Sequence, residues 1–321
     1  MTRVTVVVPA YNEGAAFGAT LATLADYFAM HRAGGYSFDY LVVDDGSTDE
    51  TLRSATEFAR WRDDVRIVKH EHNRGLGAAL RTAFERVSSD VVVVVDADLS
   101  YSPSTAMQLV ERLDCEDADV ALASPYAFGG TVENVPFGRR VMSREANRVL
   151  SFATAGRYAT LTCMVRAFRA SAIPRLVFRN DGMESIPEML LSALRQGMKV
   201  VEVPATLRWS DQRREVGGRL RIWGLPKRIG ATFGMACRHR PSLWLAVPGL
   251  FPGLLPLVVG VLFLLHVRGA ALAGGTIATI VVQYSSLAFF SGQITMFFGR
   301  RLSQRHRGVT THGYDLPSRT T

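Results

Sequence analysis

The sequence predicts an α/β fold: a doubly wound, mostly parallel sheet, followed by a basic amphipathic region at a membrane interface and two transmembrane helices. Three observations carry this expectation. Strand-like and helix-like patterns alternate through the first half of the 321 residues, as in successive βαβ units. The run "VVVVVDADLS", from Val91 to Ser100, is so β-branched that it reads as a strand buried on both faces. Two uncharged apolar stretches, 243–267 and 271–298, are each longer than the ~20 residues a bilayer-spanning helix needs.

Taken in order, "VTVVVPA" opens the chain as a strand, since its apolar run is too short for a signal peptide and no cleavage site follows. An amphipathic helix is expected over 15–29, a strand at "DYLVVDDG", a helix over 49–61, a strand at "VRIVKH", a helix over 76–87, and then the valine strand. Asp45-Gly46 marks a turn, and Ser47 and Glu50 have the spacing of a capping box. Ser102 before Pro103 is the expected cap and first turn of the next helix. Residues 124–156 are rich in Gly and Arg and weakly periodic, and are expected to form an irregular arm over the site; "VVEVPATL" is the expected last strand. The plan is a catalytic domain over 1–210, basic amphipathic interface helices over 211–241, a two-helix hairpin over 242–299 and a basic tail over 300–321.

The formal charge of +8 points to an anionic partner, and its location says which. Between Arg208 and Arg240 the basic residues outnumber Asp211 and Glu215, with Trp223, Leu225, Ile229, Phe233 and Met235 interleaved. That mixture, directly ahead of two apolar spans, suits anionic membrane lipid and argues against nucleic acid. Both outer flanks of the spans, "CRHR" and "GRRLSQRHR", are basic, whereas the tip "HVRGA" carries one Arg. The positive-inside rule therefore places catalytic domain and tail in the cytoplasm of an integral membrane protein. Homo-oligomerisation through the hairpin is left open. Cys115, Cys163 and Cys237 form no metal-binding or redox pair and are expected as free thiols.

Four segments should meet at the carboxyl edge of the sheet: "PAYNEG", "DDGSTD", "NRGLGAA" and "DADLS". If the last is extended, Asp96 and Asp98 point to the same side. Two adjacent carboxylates repel unless a cation sits between them, although a polar loop that merely caps a strand would read the same. A divalent ion held by Asp98, with Asp96 nearby, would recruit a diphosphate to an acidic edge, and oxygen ligands favour Mg2+ or Mn2+ over zinc. "NRGLGAA" lacks the third glycine of a dinucleotide fingerprint, and no P-loop is present. Hydride transfer and P-loop chemistry therefore recede.

The motifs "VVVPAYNEG", "VVDDGSTDET", "NRGLGAALRTAF" and "VVVVDADLS" resemble, in order, those of the family-two glycosyltransferases with a GT-A fold. Within that family "SREAN", "EVP" and the C-terminal spans resemble the polyprenyl-phosphate sugar synthases of the dolichyl-phosphate mannose synthase type. The resemblance covers roughly 4–220. It implies that Pro9, Ala10, Tyr11 and Glu13 line the nucleotide pocket, that Asp44 and Asp45 contact base or ribose, and that Asp96 and Asp98, with Ser100, hold the metal and diphosphate. It further implies that Arg139, Arg140, Arg144 and an arginine of "RREVGGRLR", Arg214, receive the acceptor phosphate.

The chain departs from the family pattern in four places. Pro125 stands where an arginine is usual and Thr160 where an aspartate is usual, although Arg166 is kept; Ser100 replaces a frequent Gln, and "RREVGGRLR" only approximates the family's basic motif. These departures leave the sugar open. The expected reaction is inverting transfer of a hexose from GDP- or UDP-hexose to a polyprenyl phosphate. Two alternatives remain beside it. Glu184 or Glu188 could act as base toward a glycolipid hydroxyl, or the chain could be a catalytically silent nucleotide-sugar binder that recruits another transferase.

Overall fold

The computed structural model describes residues 1–154 and 156–209. The predicted interface helices, both spans, the tail and Arg214 lie outside the described residues. Among the described residues no helix is long and apolar enough to cross a membrane.

The chain alternates β1 (Thr2–Ala10), α1 (Phe17–Ala29), β2 (Tyr36–Asp44), α2 (Thr51–Ala59), β3 (Val65–Lys69), α3 (Leu76–Phe84), β4 (Val91–Val94), α4 (Pro103–Cys115) and β5 (Val120–Ser124). It continues through β6 (Thr131–Glu133), α5 (Phe137–Ala153), β7 (Arg166–Arg169), α6 (Ser185–Arg195), β8 (Val200–Pro204) and β9 (Thr206–Arg208). A seven-stranded sheet runs in the order β3-β2-β1-β4-β7-β5-β8, and β6 pairs with β9 in a separate ribbon. Within the large sheet β7 alone is antiparallel to its neighbours.

The valine run explains the layering. Val91, Val93 and Val95 pack with Leu21, Phe28 and Leu109 on one face, while Val92 and Val94 pack with Leu80, Phe168 and Phe178 on the other. Successive strand side chains alternate faces, so a strand covered on both sides must be apolar at every position. From β1 the chain winds outward through β2 to β3, and then returns to place β4 on the other side of β1. That reversal between β1 and β4 is the switch point at which a crevice opens beyond the carboxyl ends of the strands. "PAYNEG" and "DADLS" follow these two strands. Because β7 runs backward, its first residue, Arg166, pairs with Val94 at the same end.

Several local expectations are corrected. Ser47 does not cap α2: the helix begins at Thr51 and its N-terminal residue, Glu50, makes no side-chain cap. Ser102 does cap α4, its Oγ accepting from Thr105 N at 3.4 Å, with Pro103 in the first turn. The expected irregular arm contains a three-residue strand and the 17-residue helix α5.

The glycines of "NRGLGAA" make room for protein. A Cβ at Gly77 would collide with the backbone oxygen of Asn180, and one at Gly75, whose φ is +94°, would lie 2.5 Å from that of Asp181. Gly77 N donates to Asp181 O at 2.5 Å. Replacing Gly77 with Ala should therefore cost about 1–3 kcal/mol through overpacking against a backbone that has no rotamer to yield. Urea unfolding of the G77A variant beside the parent checks this, and an unchanged midpoint would mean the 180–182 segment moves freely.

Candidate active site

The first two loops are tied to each other. Asn12, at φ +54°, donates its N–H to Ser47 Oγ at 3.0 Å and accepts from Thr48 N at 2.9 Å. Glu13 N donates to Thr51 Oγ1 at 2.7 Å, and Gly14 N to Asp49 Oδ2 at 2.9 Å. Ser47 is thus a strut to the neighbouring loop, which explains why it is not a helix cap. Pro9 and Ala10 are buried at the end of β1, paired with Val43 and Asp44, while Tyr11 is exposed and Glu13 half-buried.

The two adjacent aspartates have different jobs. Asp45 is buried, and its carboxylate is shared among three donors of the third loop. His70 Nδ1 lies 2.6 Å from Oδ1, Arg74 N donates to Oδ1 at 3.0 Å, and Gly75 N donates to Oδ2 at 2.7 Å. His70 Nε2 in turn lies 2.9 Å from Thr82 Oγ1. The sequence marked Asp45 as a base or ribose contact and His70 only as a strand-end residue, whereas their described contacts join β2, β3 and α3. No spacing rule would have paired them. Asp44 is fully buried, its Oδ1 accepting from Ser47 N at 3.3 Å, and its Oδ2 finds no hydrogen-bond partner among the described residues. A buried carboxylate oxygen in that state is costly unless a donor reaches it.

The paired acids are not extended, contrary to the expectation. β4 ends at Val94, and "DADL" folds into a turn with Leu99 at φ +50° and Leu99 N donating to Asp96 O at 3.3 Å. Asp98 Oδ1 accepts from Ser100 N at 2.9 Å and Ser100 Oγ at 2.6 Å. This local turn, not strand alternation, orients Asp98. Ser100 is buried, and its hydroxyl donates to Asp98. Among the described residues no group of three or more His, Cys, Asp or Glu gathers as a metal cage. Two half-buried carboxylates fit a hard cation that takes its remaining ligands from phosphate and water, the habit of Mg2+.

Behind this turn lies a buried polar cluster. Arg166 is fully buried and donates to three backbone oxygens: Cys163 at 2.9 Å, Ile186 at 2.7 Å and Leu161 at 2.7 Å. Burial lowers its pKa to about 10, so it stays charged at neutral pH. Burial pushes the Cys163 thiol up to about 12, with the Asp96 charge adding to the rise. Burial likewise raises Tyr101, which hydrogen-bonds Cys163. These groups stay neutral beside the acids.

On α5, the Arg139 guanidinium stacks on the Trp209 ring at 4.8 Å, and Arg140 and Arg144 are exposed. The two departures from the family pattern adjoin each other: Ser124, next to Pro125, hydrogen-bonds Thr160 at 2.6 Å in the interior. Glu184 precedes α6, and Glu188 Oε2 accepts from Arg179 N, Asn180 N and Asn180 Nδ2 at 3.0, 3.0 and 2.8 Å. Glu188 clips a loop.

Asp49 makes the inter-loop tie pH-dependent. Burial pushes its carboxyl up, but hydrogen bonds from the Thr51 side chain and from backbone N–H groups of Thr51 and Gly14 outweigh this and hold it below the usual value. Its contribution is therefore full above the unfolded carboxylate value and is lost as pH falls through the folded one. Since Asp49 is exposed, the effect should stay within about 1 kcal/mol. The stability gap between the parent and Asp49→Asn should close on acidification in paired urea titrations. A gap constant with pH would mean the charge contributes nothing.

A family model described as Glycosyl transferase family 2 matches residues 5–182, a segment that includes all four loops. The chain is 31% identical over 214 residues to a dolichol-phosphate mannosyltransferase of Pyrococcus furiosus, covering 64% of this chain and 56% of that one. It is 32% identical over 249 residues to a polyprenol monophosphomannose synthase of Mycolicibacterium smegmatis, covering 73% of this chain and 91% of that one. Glucosyl-3-phosphoglycerate synthase from Mycobacterium tuberculosis superposes with a TM-score of 0.55 at 22% identity, over 74% of this chain and 81% of that one. A crystal structure of the same enzyme holding Mn2+, UDP and glucosyl-3-phosphoglycerate gives 0.51 at 21%, over 71% and 80%. These superpositions show a GT-A-like α/β fold. The chain belongs to glycosyl transferase family 2, as a glycosyltransferase similar to the polyprenyl-phosphate sugar synthases.

Proposed function

We propose that the chain transfers a hexose from a nucleotide-diphosphate sugar to a polyprenyl phosphate, with inversion, at the cytoplasmic face of a membrane. The observation that carries this reading is the "DADL" turn at the β1/β4 switch point, which places two half-buried carboxylates at the carboxyl edge of the sheet. The relatives named as a dolichol-phosphate mannosyltransferase and a polyprenol monophosphomannose synthase support the acceptor class. The Mn2+ and UDP of the structural neighbour support a metal-bridged donor.

In this reading Asp96 and Asp98 hold Mg2+ or Mn2+, which when bound neutralises the departing diphosphate. Ser100 fixes the rotamer of Asp98. Asp44 Oδ2 takes a hydrogen bond from the base or ribose, while Asp45 positions the third loop from beneath; Pro9, Ala10, Tyr11 and Glu13 form the wall contributed by the first loop. The acceptor is a phosphate monoester with a second pKa of about 6, so its oxygen is already anionic at neutral pH. No protein base is needed, in keeping with the engagement of Glu188 in a loop. Arg139, Arg140 and Arg144, with Arg214 beyond the described residues, orient that phosphate for in-line attack.

Replacing Asp98 with Ala should lower turnover on the order of 10²–10³-fold, the usual cost of removing a main electrostatic contact to the reacting group. Membranes bearing the chain, incubated with labelled GDP- and UDP-hexoses, should yield lipid carrying an acid-labile sugar phosphate. Turnover that survives complete chelation, or label that appears only in a water-soluble glycoside, would sink the reading. Arg140→Gln and Arg144→Gln should raise KM for the polyprenyl phosphate while leaving KM for the sugar nucleotide unchanged. An equal rise in both would remove these arginines from the acceptor site.

A further inference from the structure

We infer that the outward face of α5 is a membrane-docking surface of the catalytic domain itself, bedded in the headgroup layer of an anionic bilayer. The inward face of the helix is fixed by its contacts. Leu150 is buried, and Asn147, also buried, accepts at Oδ1 from Leu161 N at 2.7 Å and Thr162 N at 3.2 Å. At 3.6 residues per turn the outward stripe carries Phe137, Val141, Glu145 and Arg148, with Arg144 on its flank; Arg148 pairs with Glu145 at 3.1 Å. Phe137 is 82% exposed, Val141 and the adjacent Met142 are exposed as well, and Phe128 in the β5–β6 loop is 93% exposed.

Phe137, Val141 and Met142 gather within six residues of one helix, and an exposed apolar cluster rimmed by charge marks an interaction site. The arginines on and beside the stripe select the partner. Within α5, Arg139, Arg140, Arg144 and Arg148 stand against Glu145 alone. Apolar residues beside arginines form the pattern of a helix lying in an anionic interface, bases toward the headgroups and rings below them.

The course of the chain supports the same partner. Trp209, the last described residue, stacks against Arg139 of α5 and donates its backbone N–H to Glu133 O at 3.1 Å. The last described residue thus lies beside this helix, and the sequence that follows it is the basic, aromatic-rich segment 211–241 and the two apolar stretches. The docking face requires no transfer chemistry, and its readout is separate from turnover.

The test uses the full chain in vesicles, with bimane on Phe137→Cys or Val141→Cys in a background of Cys115→Ser and Cys237→Ser. A control labels the native Cys115, at the end of α4. In phosphatidylcholine vesicles containing phosphatidylglycerol, brominated acyl chains should quench the labels at 137 and 141 by about two-fold, as for a face bedded ~5–10 Å into the headgroup boundary. The label at Cys115 should be unaffected, and omission of phosphatidylglycerol should reduce quenching at 137 and 141. Emission at 137 and 141 as insensitive to bromine as that at 115 would overturn the proposal. So would quenching independent of the anionic lipid, or a label at 137 that responds to protein concentration in detergent, which would assign the face to a second copy.

Discussion

The site rests on one constraint: loops at a carboxyl edge leave backbone N–H groups that no strand or helix pairs, and each must find an acceptor. Here side-chain carboxylates and amides from other segments supply it. Asp49 holds Gly14, Asp45 holds Arg74 and Gly75, Glu188 holds Arg179 and Asn180, and Asn147 holds Leu161 and Thr162. Glu202 does the same for Ala159 and Thr160, at 2.9 and 2.8 Å. Charged acceptors make the stronger bonds of this kind, so a site built almost wholly from loops keeps a fixed shape. The arrangement also sorts the acids. Asp45, Asp49 and Glu188 hold backbone donors of other loops, whereas Asp98 and Asp44 accept backbone N–H groups only within their own loops.

What could be read from the chain beforehand follows from this division. The strands, their parallel order and the two-sided valine strand were legible because burial imposes a local pattern. The convergence of four loops followed from topology alone. The clips were not legible, because no local pattern ties an acceptor to the N–H it holds in another segment: Asp45 and Gly75, Asn147 and Leu161, Glu202 and Ala159. His70 illustrates the limit, since nothing in "KHEHN" says that one histidine is buried between Asp45 and Thr82 while the other is exposed.

Two misreadings have a common origin. Alternation ends with β4 at Val94, and the acids sit on a turn closed by Leu99 N to Asp96 O and by Ser100 to Asp98. The helix α5 was taken for an irregular arm because its first turns pack against little and show no apolar period. The absence of a period was itself the signal, for an outward face that is both apolar and basic belongs to a helix with a second environment to satisfy.

The departures at positions 125 and 160 gain a physical meaning from their proximity. The family pattern carries an arginine and an aspartate there, and this chain carries Pro125 and Thr160, with Ser124 hydrogen-bonded to Thr160 in the interior. In this chain Ser124 Oγ and Thr160 Oγ1 satisfy each other, and Ala127 N donates to Ser124 Oγ at 3.0 Å, so neither hydroxyl is left unmet. The charge of Arg166 is met by three backbone oxygens, which no side-chain replacement can withdraw. The interior thus keeps a fixed positive charge at Arg166, while the Ser124–Thr160 contact is neutral.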